Sequence, residues 1–312
     1  MRIREKKRIV IATRNSVLAL WQAKFVREKL YLRDGSFDIQ ILPITTEGDR
    51  RIDESLANIG GKGLFIKELE QALRQGKADI AVHSMKDMPY ALPEGFILAS
   101  ILEREDPRDV FLSNKVNNLS LLPKGSRVGT SSFRRSSQLL SNYNDISVLP
   151  LRGNLETRLR KLDEGKYDAI ILAAAGVKRL NMTHRISSFL DPYKFIPAVG
   201  QGAIGIECLA ERVDLVNHLA AIEHRPTRWC VDAERTMTAK LGGECNLPIA
   251  GLARIMGSEK KMRGFVGHPN GSTTLYNEEF QSIGESSKQL GENVARGLIN
   301  QGALELLGKL AG

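Results

Sequence analysis

The stretch from Asp79 to Pro89, DIAVHSMKDMP, delivers His83, Ser84, Lys86 and Asp87 into one loop at the end of a short apolar strand, and proline stops it. An aspartate held among cationic groups stays ionised. A carboxylate fixed in that way can stabilise positive charge that develops during a reaction. His83 could serve as a general base, although a single histidine near a strand end also serves as a hydrogen-bonded structural residue. Read alone, the same stretch is equally a surface loop with an internal Lys86–Asp87 pair of small energetic worth.

Four other places carry a second kind of chemistry. Thr13-Arg14-Asn15-Ser16 follows the first strand, and Thr130-Ser131-Ser132-Phe133-Arg134-Arg135 opens a helix. Arg152-Gly153-Asn154, with Arg158 one turn further on, opens another, and Ala175 to Arg179 sits where a strand gives way to its helix. The first turn of a helix offers unpaired N–H groups and the positive end of the dipole. An added arginine contributes a planar fork for a carboxylate. One such junction is commonly a solvated arginine; four together favour a cleft for an acid with several carboxylates. No GxxxxGK[ST] occurs, and the one GxGxxG, Gly200 to Gly205, lies in a Pro- and Gly-rich stretch and not between a strand and a helix, so neither a dinucleotide nor a nucleoside triphosphate is indicated.

Gly60-Gly61-Lys62-Gly63-Leu64-Phe65 reads as a glycine-rich lid or phosphate loop. The three cysteines, Cys208, Cys230 and Cys245, show no CxxC spacing and leave an odd count, so neither a disulfide framework nor a metal site is expected. Cys208 and Cys230 lie in apolar patterns and read as small buried residues. Cys245 follows Gly242-Gly243-Glu244 in a loop, where a thiol is open to solvent and able to react.

The elements that must hold these groups are legible from periodicity. Over the first two-thirds, short apolar strands alternate with amphipathic helices: strands near 8–12, 38–44, 79–83, 146–149 and 168–173, helices near 16–32, 64–74, 132–140 and from Asn154 to Glu164. Residues 196–205, rich in Pro and Gly, read as a connector. In open α/β sheets such junctions gather at the carboxyl ends of the strands. After Arg225 the rhythm changes to one long helix, three alternating segments near 247–255, 261–267 and 273–280, and two helices, which is a separate α+β unit. The 312 residues suit two or three domains, and no apolar run is long enough to span a membrane. The net charge of +9 admits nucleic acid or small polyanions as partners. The basic run at residues 1–8 has no interleaved aromatics for stacking bases, which disfavours nucleic acid. The apolar stretch after it is too short for a signal peptide, so a cytoplasmic location is expected.

At these residues the chain resembles the porphobilinogen deaminases. The matching stretches, in order, are IATRNSVLALWQA, GGKGLFIKELE, ADIAVHSMKDMP, EREDPRDVF, VGTSSFRRSSQL, LRGNLETRL, YDAIILAAAG, PAVGQGAIGIEC and AERTMTAKLGGECNLPI. The resemblance implies an α/β fold with two doubly wound lobes like those of type II periplasmic binding proteins, plus a C-terminal α+β domain with a three-stranded antiparallel sheet. The implied division is 1–102 with 203–222, then 103–202, then 223–312, and the chain crosses between lobes near 102–107 and 197–203. It further implies a dipyrromethane joined by a thioether to Cys245, no metal, a monomer, and porphobilinogen as substrate. Four porphobilinogens would be condensed head to tail with loss of ammonia, through an azafulvene, and released as the linear hydroxymethylbilane of haem biosynthesis.

The resemblance assigns catalytic roles to Asp87, Lys86 and Arg14. It assigns the cofactor to Ser84, Lys86, Asp87, Thr130, Ser131, Ser132, Arg134, Arg135, Arg152, Gly153 and Arg158. Substrate falls to Arg14, Ser16, Lys62, Phe65, Gly176, Arg179 and Gln201. Two positions depart from the family pattern: Val17 stands where proline is frequent, and Glu244 stands where a small residue is common beside the cofactor cysteine.

Overall fold

The computed structural model describes residues 7–50, 65–243 and 247–311. The chain begins with β1 (Lys7–Arg14), α1 (Val17–Arg33), β2 (Phe37–Ile44), the single turn α2 (Glu47–Arg50), α3 (Lys67–Arg74), β3 (Ile80–Ser84) and β4 (Phe96–Ile101). A second run follows: β5 (Asp109–Leu112), β6 (Arg127–Gly129), α4 (Phe133–Asn142), β7 (Ser147–Leu149), α5 (Leu155–Asp163), β8 (Ala169–Ala173), α6 (Ala174–Arg179) and β9 (Ser188–Phe189). Then come β10 (Ile204–Leu209), α7 (Val213–Ala220), α8 (Arg225–Lys240), β11 (Ile249–Met256), β12 (Glu259–Gly267), β13 (Thr274–Phe280), α9 (Ser287–Asn300) and α10 (Ala303–Ala311).

The first five-stranded sheet has the order β2-β1-β3-β10-β4, and the second has β7-β6-β8-β5-β9. In each, three strands run parallel and the fourth runs against them: β10 beside β3, and β5 beside β8. The residues read as a connector at 204–205 are therefore the start of a central strand. Gly and Pro mark only the crossing before it, while Ile204, Ile206 and Cys208 are buried on the sheet.

Reversing the fourth strand has a geometric consequence. Asp109, which opens β5, pairs with Ala173 at the carboxyl end of β8. Ile204, which opens β10, pairs with Ser84 at the carboxyl end of β3. Both chain crossings thus lie at the end of the sheets where the helix N-termini gather, which is where open α/β sheets bind ligands. Ser16, Ser132 and Asn154 cap α1, α4 and α5, each side chain accepting from a backbone N–H of the first turn.

The third sheet, β11-β12-β13, is antiparallel throughout. Helix α8 and α9 cover it with Cys230, Ala233, Met237, Leu290, Val294 and Leu298. Glu234 on α8 is wholly buried and ties this unit to both crossings. Its carboxylate accepts from Arg104 (2.6 and 3.2 Å), from the Gly200 N–H (2.7 Å) and from the Ala253 N–H (2.9 Å). Arg104 also donates through Nε to the Gln201 carbonyl at 2.7 Å. A buried charge paired on every side in this way is costly to break. Among the described residues, no helix is long and apolar enough to cross a membrane.

Candidate functional site

The carboxyl end of β3 turns at once into a 3-10 turn, Met85–Asp87. Met85 is buried and anchors the turn through its N–H to the Ala203 carbonyl, so Lys86 and Asp87 are presented at the cleft, each half-buried. Asp87 accepts no hydrogen bond and forms no ion pair among the described residues. Lys86 is a cation in trouble: loss of water lowers its pKa to about 8, Asp87 and Asp109 oppose that, and Arg135 and Arg158 add to it. Arg158 is lowered to about 10, again first by desolvation and then by the neighbouring Arg135 and Arg152. It donates through Nε to the Gly153 carbonyl at 2.8 Å. The Arg152 carbonyl accepts from Lys161 Nζ at 3.2 Å, and its guanidinium makes no hydrogen bond among the described residues.

Arg134 and Arg135 differ. Both point inward from the first turn of α4 to the fully buried Asp109, Arg134 through Nη1 at 2.6 Å and Arg135 through Nε and Nη2 at 3.1 and 2.7 Å. Arg134 donates further to the Ile196 carbonyl and Arg135 to the Ile171 carbonyl. Burial alone would raise the pKa of Asp109, but the two guanidinium groups hold it down at about 2. Gln201 completes the cluster, donating to the Pro107 carbonyl and to Asp109. Its side-chain amide oxygen, Oε1, is buried without a partner among the described residues. Sequence reasoning overlooked Asp109. A carboxylate opening the otherwise apolar run DVFL was the available signal.

The fourth junction is built differently from its expectation. Helix α6 is short, and Arg179 lies in its last turn. Its Nη2 donates to the Gly202 carbonyl at 2.7 Å, and its guanidinium stands 5.5 Å from the Trp21 ring, so it bridges from the second lobe to the crossing and to the first lobe. Burial lowers its pKa to about 10. A Cβ at Gly176 would meet Leu18 and Leu155 at ordinary van der Waals distance.

Several hydroxyl groups hold the backbone. Ser84 exchanges hydrogen bonds with the buried Gln22, Ser131 bridges to Leu151, and Thr130 accepts from the Ser132 N–H. His83 is buried in a 3.0 Å pair with the buried Glu207. Arg14 is held by Asp49 and covered by Phe65, whose ring centroid lies 4.0 Å from the guanidinium carbon. Lys62, Glu244 and Cys245 lie outside the described residues. The chain approaches Cys245 through Gly242, at φ +65°, and Gly243, where a Cβ would come within 2.5 Å of Ile249. Cys208 and Cys230 are buried, and burial pushes their thiols up to about 11 and about 12, which makes both inert.

A dipyrromethane fits these residues by charge. Lys86 and Arg158 are drawn out of water near one another, Arg152 stands beside Arg158, Asp87 acts on both desolvated cations, and Asp109 is already committed to two arginines. A group bearing several acetates and propionates would relieve that imbalance. Among the described residues, no group of His, Cys, Asp and Glu is placed to hold a metal ion.

Residues 9–217 match the family model described as "Porphobilinogen deaminase, dipyromethane cofactor binding domain", and residues 229–300 match that of its C-terminal domain. The chain is 54% identical over 305 residues to the porphobilinogen deaminase of Nitrosomonas europaea, covering 98% of this chain and 99% of that one. It is 52% identical over 301 residues to that of Laribacter hongkongensis, covering 96% and 97%. Among solved structures, the methionine-binding protein MetQ aligns at 14% identity and a TM-score of 0.44 over 69% of this chain and 89% of that one. The two-lobed architecture rests on the strand order given above. By the family models and by identity along nearly its whole length, the chain belongs to the porphobilinogen deaminase family.

Proposed function

We propose that this chain is a transferase that condenses porphobilinogen head to tail on a covalently held dipyrromethane and releases hydroxymethylbilane. The observation that carries the reading is the desolvated pair Lys86 and Arg158, with Arg152 beside Arg158, around an Asp87 that has no hydrogen-bond or ion-pair partner among the described residues. When bound, the primer supplies a nucleophilic pyrrole α-carbon and its own acidic side chains.

Lys86, Arg152 and Arg158 bind the carboxylates of that group, and the helix N-termini capped by Ser132 and Asn154 add to the positive field. Asp87 holds the positive charge that spreads onto ring nitrogens during condensation. With no hydrogen-bond or ion-pair partner among the described residues, its oxygens are available for pyrrole N–H groups. Arg134 and Arg135 act through Asp109, keeping the cleft end of β5 rigid and positive. Arg14, Arg179 and Phe65 receive the incoming porphobilinogen with Ser16, Gly176 and Gln201, and the family pattern assigns Lys62 to the same task. Thr130, Ser131, Ser84 and Gly153 shape the backbone of the cradle. Cys245 is the attachment point, on the strength of the family pattern around it. The three-domain division at 102/103, 202/203 and 222/223, action as a monomer and a cytoplasmic location belong to the same reading.

The test is the intact mass of the purified chain, which should exceed that of the encoded sequence by two pyrrole units. Cys245→Ser should remove the excess and the activity, while Cys208→Ser and Cys230→Ser keep both. An excess mass found on a peptide without Cys245 would refute the attachment, and a full-length chain with no adduct that leaves porphobilinogen untouched would refute the function.

A further inference from the structure

Arg14 follows β1 into the cleft, and the residues around it make one connected unit. Thr46, wholly buried, donates through Oγ1 to Asp49 at 2.8 Å. Asp49 accepts from Arg14 Nε at 3.3 Å and from Arg14 Nη2 at 2.5 Å. Phe65 lies on the face of the same guanidinium. Gly48 leaves the room for that ring, since a Cβ there would come within 2.3–2.8 Å of three ring carbons. Glu68 on α3 accepts from the Glu47 N–H at 2.6 Å and fastens the short α2 turn to α3.

The stereochemistry of the contact matters more than its existence. A guanidinium has a side edge, Nε with Nη2, and an end edge, Nη1 with Nη2. Asp49 takes the side edge, Phe65 takes a face, and Nη1 has no partner among the described residues. Arg14 remains one-quarter exposed. The end edge is thus the one left for a second carboxylate, and it is held in a single orientation. An isolated arginine would have to give up rotamer freedom to adopt that orientation on binding.

We infer that Asp49 is a positioning residue that aims the end edge of Arg14 at a carboxylate of incoming porphobilinogen, with Gly48 and Phe65 holding the guanidinium plane. This rests on the reading that the chain turns over porphobilinogen. Asp49 and the substrate occupy Arg14 together, and they do not compete for it.

Asp49→Asn should raise KM for porphobilinogen by about tenfold with kcat within about twofold, because it removes binding made equally in the ground and transition states. The substrate concentration at which the first enzyme–substrate adduct appears by intact mass should rise in parallel. Thermal midpoint and the mass of the attached primer should not change. Asp49→Glu should restore most of the affinity, and Gly48→Ala should raise KM on its own by displacing Phe65. In an Arg14→Lys background, adding Asp49→Asn should change KM by less than about twofold, since lysine has no edges to aim. A KM that is unchanged or lowered in Asp49→Asn would overturn the inference, as would a full additional effect in the Arg14→Lys background. Failure of the parent chain to turn over porphobilinogen would instead strike the functional reading itself.

Discussion

The two lobes share a strand order and each sets an aspartate at the cleft end of its sheet, yet the two carboxylates live differently. Asp109, in the second lobe, is wholly buried and carries Arg134, Arg135 and Gln201. Asp87, in the first, sits half-buried in a turn with no protein partner among the described residues. Their neighbours follow suit: two arginines are spent on the fold, while Lys86, Arg152 and Arg158 remain short of anions. Both carboxylates are surrounded by cations, so charge alone does not separate structure from chemistry. What separates them is whether the partners are already satisfied.

The largest expected effect tests the saturated side. Asp109→Asn leaves two buried guanidinium groups short of a counter-charge and should cost about 3–5 kcal/mol of stability. Urea denaturation of the purified chain measures it, and a loss below about 1 kcal/mol would show that the arginines do not depend on Asp109. Asp87→Asn should do the reverse. Stability should stay within about 0.5 kcal/mol, while kcat falls on the order of a hundred- to a thousandfold. Asp87→Glu, with its charge displaced by one methylene, should keep a small residual rate and accumulate enzyme–substrate adducts visible by mass. An Asn variant turning over within about tenfold of the parent would remove Asp87 from the mechanism.

The arginines sharpen the contrast. Arg152→Ala should leave the thermal midpoint in place and weaken anion binding about ten- to a hundredfold, the worth of one charged contact. Arg134→Ala should lower the midpoint, because Asp109 and the Ile196 carbonyl each lose a donor. Equal behaviour of the two variants in both assays would erase the distinction between spent and available cations.

The smallest effect lies in pH dependence. Lys86 is charged up to its ordinary range in the unfolded chain but only up to about 8 in the folded one. Below pH 8 the folded state therefore bears a strained charge, and between 8 and the unfolded value the unfolded state binds more protons, so stability rises with pH. In a Cys245→Ser chain, which lacks the primer, Lys86→Gln should be more stable than its parent at pH 7, and the advantage should shrink towards pH 10. Differential scanning at the two pH values reads it. A constant difference would mean that Lys86 keeps its charge throughout.

The alternating periods of the chain and its capping residues were sufficient for most elements. Asn154 accepts from the Thr157 N–H at 2.8 Å, and the three alternating segments near the C-terminus are β11, β12 and β13. The junction motifs, the Lys86–Asp87 turn and the inert Cys208 and Cys230 were also legible, because short-range spacing and local polarity specify them. Strand β10 was only half legible, since its opening residues follow a Pro- and Gly-rich crossing and its role as a central reversed strand depends on what it pairs with.

Which cations are available was decided by packing. Asp109 meets Arg134 and Arg135 across 25 and 26 residues, Arg14 meets Asp49 across 35, and Arg104 meets Glu234 across 130. No local pattern encodes such pairs. They depend on strand register and on the reversal that carries Asp109 to the carboxyl end of β8. The chain by itself thus determined a family, a set of elements and a collection of cleft residues. Tertiary structure decided which of those charges the fold consumes and which it leaves for a ligand, because satisfaction of a buried charge depends on neighbours brought together only by folding.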